Sequence, residues 1–137
     1  MEDVDRRSTF VLGLAAASAF VFAGSGVAEA AVGEETEIAK GVKQKILGEG
    51  PAMIPGYKTV RLRDIIFQPG SSEVATTSMK NPMVCHITEG ELQMMQDSKP
   101  FVAKTNFVWT CNTGTKEGAT NSGSVVAVMR ITDLLTV

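Results

Sequence analysis

The chain has 137 residues, with 13 Lys and Arg, 15 Asp and Glu, two cysteines and a single histidine, which is room for one domain and too little histidine for a His-rich zinc centre. Setting aside Arg6 and Arg7 with Glu2, Asp3, Asp5 and Glu29 leaves the two signs of charge balanced over residues 31–137, so there is no basic footprint for nucleic acid. A hydrophobic share of 44% and an aromatic share of 6% suit a globular chain, one that can bury about 65% of its unfolded surface without needing disulfides.

Residues 1–30 read as a cleavable signal peptide. Arg6 and Arg7 precede Phe10, an apolar run covers residues 11–23, and Ala28-Glu29-Ala30 offers the small side chains a signal peptidase pocket takes. The run is shorter than the roughly 20 apolar residues of a membrane span. Cleavage before Ala31 is therefore expected, leaving a periplasmic or secreted domain with no membrane span after processing. The arginine pair and Phe10 together are similar to a twin-arginine signal, with the ordinary secretory route as the alternative.

In residues 31–50, Ile38, Val42 and Ile46 recur at four-residue spacing, interrupted by Gly41 and ended by Gly48. That spacing predicts a short helical or irregular lead-in, or a strand over 43–47 if no helix forms. From residue 51 to residue 137 the segments are short, rich in Val, Ile, Thr and Phe, and divided by turn signals such as Pro55-Gly56, Pro69-Gly70, Glu89-Gly90 and Asn121 to Gly123. Strands are expected over 57–67, 83–88, 91–96, 101–103, 107–111 and 124–132, the pattern of an all-β sandwich or barrel. Arg61 and Arg63 share one strand face and read as a solvated basic pair. No phosphate loop, spaced Cys/His cluster or serine nucleophile elbow occurs.

Two spaced patterns carry a family resemblance. Gly70 is followed after five residues by Thr76-Thr77-Ser78, after four more by Met83, and after six more by Gly90; Asn106 leads after five residues to Asn112-Thr113-Gly114, then to Glu117 and Asn121. From Tyr57 to Ile131 the chain resembles a small single-domain cupin, which implies an all-β, double-stranded β-helix or jelly-roll barrel over 51–137. Asn106 stands where the family has glycine, a modest departure because Asn tolerates positive φ.

In the family, metal ligands occupy the positions that Thr76, Ser78, Met83 and Glu117 hold here. The resemblance therefore implies a barrel without the usual metal, and no metal or cofactor is expected. Carrying over the inward positions puts Met83, Cys85 and Ile87, then Leu92 and Met94, then Phe107, Trp109 and Cys111, then Val125, Ala127, Met129 and Ile131 inside, and turns His86 outward. An apolar pocket follows, with Thr76, Ser78, Met83, Trp109 and Glu117 as candidate lining residues and Glu117 expected to have a raised pKa. For Thr76, Ser78 and Glu117 a solvated loop or turn is the competing reading. Cys85 and Cys111 fall on neighbouring strands of such a barrel, either as a disulfide or as two buried thiols. Met83, Cys85, Cys111 and Met79 also suggest a soft Cu(I)-type site as a minor alternative.

The expected function is an exported small-molecule-binding or accessory module whose partner is an unidentified small molecule, with a homodimer possible. The alternatives are an enzyme that uses Glu117 as general base or a nonstandard soft metal, and a filled structural barrel without ligand.

Overall fold

The computed structural model describes residues 31–74 and 78–136; the expected leader 1–30 and the candidate Thr76 lie outside the described residues. Ten strands and no helix occur among the described residues: β1 (Glu35–Ala39), β2 (Val42–Pro51), β3 (Thr59–Phe67), β4 (Ser72–Glu73), β5 (Met83–Glu89), β6 (Glu91–Gln96), β7 (Lys99–Lys104), β8 (Val108–Cys111), β9 (Glu117–Thr120) and β10 (Ala127–Leu135). They form two antiparallel sheets, ordered β1-β2-β3-β10-β5-β8 and β4-β9-β6-β7. This is the expected all-β barrel of two facing sheets.

The lead-in is not helical or irregular; the alternative of a strand over 43–47 holds, within the longer β2. Residues 35–51 are a hairpin, and β2 pairs with β3 along its length, so this stretch belongs to the six-stranded sheet rather than preceding it. The misreading has a simple cause. A spacing of four residues satisfies both a helical face and every second residue of a strand, and Val42 and Ile46 are buried as alternate strand residues while Ile38 is 40% exposed.

Alternation elsewhere follows the expected inward set. Along β5, Met83, Cys85 and Ile87 are buried and Val84 and His86 are not; along β6, Leu92 and Met94 are buried and Gln93 and Met95 are not. Together with Val42, Ile65, Phe67, Ala127, Met129 and Ile131 they make one core between the sheets. Two inward assignments fail. Val125 is 63% exposed, because the buried Asn121 side chain bonds the Val125 carbonyl (2.8 Å) and the Phe67 carbonyl (3.0 Å) and so holds the loop off the ladder until Ala127. Phe107 precedes β8 and lies at the rim, 44% exposed, in a cluster with Phe101 and Trp109 whose ring centroids stand 5.6–5.9 Å apart.

Asn106 does adopt the left-handed backbone that a glycine would take there, with φ of 72°. It places the turn between β7 and β8 without a glycine, as its side-chain chemistry allows.

Candidate functional site

Glu117 is the first residue of β9, a strand that the turn-rich sequence around it does not announce. The turn before it is fixed by its own bonds: the Thr115 amide donates to the Asn112 carbonyl (3.1 Å), the Asn112 amide to the Thr115 hydroxyl (3.2 Å), and both the Gly114 amide and the Thr115 carbonyl bond the Met79 backbone at 2.8 Å. Strand pairing with β6 then turns Glu117 and Ala119 inward. The carboxylate is buried, 6% exposed, so the solvated-turn reading does not hold.

Two donors meet on one carboxylate oxygen. The Trp109 indole Nε1–H bonds Oε2 at 2.9 Å, and the Cys111 thiol bonds the same oxygen at 3.0 Å. Burial pushes the Glu117 carboxyl above its ordinary value, and these two bonds pull part of the way back. Cys85 is close by; the hydrogen bond to the Cys111 thiol and burial both push the Cys85 thiol up. Both cysteines are free and buried. The register explains why: Cys85 faces Trp109, and Cys111 faces Met83, so the thiols are diagonal neighbours rather than a directly opposed pair.

A cavity of about 470 Å³ opens between the sheets, with Arg63, Ile65, Met83, Met129 and Ile131 on one side and Glu73, Glu117 and Ala119 on the other. Of the five candidates, Ser78, Met83 and Glu117 line this space; Ser78 is exposed at its mouth. Trp109 stands behind Glu117 as its hydrogen-bond donor rather than in the lining.

Arg63 was not expected here. Arg61 and Arg63 are no solvated pair: both reach Asp133, at 3.2 and 2.7 Å, and Asp133 has no exposed side-chain surface. Arg63 also bonds the Gln44 side chain at 2.8 Å, and Asn81 donates to Asp133 at 3.1 Å. Arg63 and Asn81 of this network line the cavity. Glu73 lines the same cavity, and its carboxyl is raised by burial against the opposing pull of Arg63. No sequence pattern marks Glu73, because its strand is only two residues long.

The positions at which the cupin resemblance would put a metal do not suit one here. Ser78 is exposed and Met83 offers only a thioether, which leaves Glu117 as the one ordinary donor among the described positions of that set.

Two facing antiparallel sheets with a cavity between them make a β-barrel, and its fold is that of solved cupin structures. No family model matches the sequence, and no curated protein matches it; the likeness lies in structure. A predicted oxalate decarboxylase from Thermotoga maritima superposes with a TM-score of 0.61 at 18% identity, over 76% of this chain and 92% of that one. An RmlC-like cupin from Shewanella frigidimarina gives 0.60 at 16% identity, over 81% and 91%. The cupin domain of an XRE-family transcriptional regulator from Enterobacter cloacae gives 0.52 at 17% identity, over 69% and 96%. These proteins share the fold and differ in what they are named for, so the fold selects no activity.

Proposed function

We propose that the chain is an exported small-molecule-binding or accessory module whose ligand enters the cavity between the sheets and meets Glu117. The observation that carries this reading is the cavity itself: about 470 Å³, walled by Met83, Met129 and Ile131, with Arg63, Glu73 and Glu117 as polar groups converging on it. The lining is mixed, with Ser78, Lys80 and Asn81 as further polar members, and a concavity of a few hundred Å³ with fixed polar groups is how ligand sites are commonly built. Among the described residues no helix is long and apolar enough to cross a membrane.

A thermal-shift screen of small polar compounds against the protein tests this reading. At least one compound should raise the unfolding temperature, and Met83→Trp, which fills the cavity from its wall, should abolish that shift. If no compound stabilises the protein and Met83→Trp is itself stabilising, the space is unfilled core and the binding reading falls. Mass spectrometry of protein from the export compartment should show a chain beginning near Ala31; an intact Met1 species there removes the leader assignment.

A second reading, an enzyme with Glu117 as its base, is favoured by the place of that carboxylate on the cavity wall. Glu117→Gln would then stop turnover of a compound found in the screen while leaving it bound.

A further inference from the structure

We propose that Cys85, Cys111 and Glu117 form a zinc site beside the cavity, joining the two sheets. The two sulfurs and a carboxylate oxygen lie within 4.8 Å of one another, and all three residues are buried. Tetrahedral zinc, with bonds of about 2.3 Å to sulfur and about 2.1 Å to oxygen, separates its ligand atoms by about 3.6 Å. Reaching that spacing takes small side-chain rotations, among them one that opens the Cys111 Sγ–Glu117 Oε2 contact from its present 3.0 Å.

Two side-chain donors already point at prospective ligand atoms. Gln96 Nε2 donates to Cys111 Sγ at 3.4 Å, and Trp109 Nε1 donates to the Glu117 carboxylate at 2.9 Å. Donors aimed at ligand atoms from the outer side are the usual means of orienting a ligand set. The ligands are also spread for a structural effect: Cys85 lies in β5 and Cys111 at the end of β8 in one sheet, and Glu117 opens β9 in the other. The bonded turn over 112–116 fixes Cys111 and Glu117 relative to each other before any ion arrives.

Charge selects the ion. Two thiolates and a carboxylate place three negative charges in a buried site, and a divalent ion leaves less of that uncompensated than a monovalent one. The third donor is oxygen rather than thioether, which suits zinc better than Cu(I). On binding, the two thiol protons leave to solvent as the two S–Zn bonds form. The cavity beside Glu117 has room for water or a ligand atom in the fourth position. This set shares only Glu117 with the positions at which the cupin resemblance would put a metal.

The test uses the purified protein, stripped with a chelator and then titrated with zinc and, separately, with cobalt(II). One equivalent of zinc should bind and raise the unfolding temperature, and cobalt should give the near-ultraviolet thiolate charge-transfer band together with tetrahedral visible bands. Cys85→Ser and Cys111→Ser should each lose that band. Trp109→Phe should weaken zinc about tenfold through the loosened carboxylate, while His86→Ala should bind as wild type does. Where a serine variant fails to fold by circular dichroism, wild-type alkylation decides: bound zinc must protect both thiols from N-ethylmaleimide. Substoichiometric zinc, a cobalt spectrum without the thiolate band, equal alkylation with and without zinc, or a Cys85–Cys111 disulfide in freshly isolated protein would each overturn the site. None of these readouts depends on whether the compound screen finds a ligand.

Discussion

Asp133 anchors Arg63 and Asn81, which line the cavity, and its chemistry gives a pH signature. Its side chain has no exposed surface and meets Arg61, Arg63 and Asn81. Burial alone would raise its pKa, but the hydrogen bonds and charge of Arg63, with Asn81 and Arg61 behind them, hold the carboxyl below its usual range. The folded form therefore keeps Asp133 ionised at pH values where the unfolded chain takes up a proton. The stability this contributes is fully present above the unfolded value of about 3.9 and is lost as pH falls through the lower folded value. Asp133→Asn should cost about 3 kcal/mol at pH 7, since it leaves two guanidinium groups without their anion, and it should flatten the acid limb of the stability curve. Urea midpoints measured from pH 2 to pH 7 check this, and parallel curves for variant and wild type would refute it. The sequence concealed this network because the last strand was expected to stop at residue 132, one short of Asp133, so the arginines had no visible acid partner. The centre around Glu117 was half legible. The family resemblance, carried along the strands by alternation, implied Met83, Cys85 and Cys111 inward and a place for Glu117 in the barrel, yet nothing local to Cys111 shows that a six-residue step through a bonded turn sets its thiol against that carboxylate.

At the scale of elements, the turns hold the register, and two glycines that look alike in the sequence differ in kind. Gly70 and Gly90 both adopt positive φ, 81° and 70°. A methyl group at Gly70 would meet nothing within 4 Å, whereas at Gly90, between β5 and β6, it would lie 2.7 Å from the Val126 carbonyl oxygen and 2.9 Å from the Ala127 Cα. Gly70→Ala should therefore cost only the torsional penalty of about 1 kcal/mol. Gly90→Ala should cost about 3 kcal/mol, because the backbone of the entry to β10 must also move. Urea denaturation of the two variants checks the ranking, and equal losses would mean that the β5–β6 turn has slack the geometry does not show. The strand positions themselves were readable wherever apolar alternation met a turn signal: 91–96 is reproduced as β6, and 83–88 falls one residue short of β5. The sequence was silent where an element lacked that contrast. β4 has two residues and β9 reads Glu-Gly-Ala-Thr, with no β-branched residue until its end. The hairpin of β1 and β2 was obscured by a spacing common to both periods.

For the molecule as a whole, the question is whether two sheets make one cooperative unit. The buried apolar residues form one cluster drawn from both: Val42, Ile65, Phe67, Cys85, Ile87 and Met129 from the six-stranded sheet, and Leu92, Met94, Ala103 and Ala119 from the other. Among the described residues the buried apolar cluster is shared by the two sheets, so each loses that core when the other leaves. Leu92, in the four-stranded sheet, is fully buried, and Leu92→Ala should cost about 3 kcal/mol through lost transfer energy and the cavity left behind. Because the core is shared, that loss should also reach the opposite sheet. Trp109, the single tryptophan, lies in β8 of the six-stranded sheet and reports on it by fluorescence, while far-ultraviolet circular dichroism reports on all strands. Both probes should follow one urea transition in wild type, and both should move by the same amount in Leu92→Ala with the slope unchanged. Transitions that separate, with Trp109 holding while the overall strand signal falls, would mean that the sheets fold independently and that the cavity between them is a gap between two units rather than the inside of one.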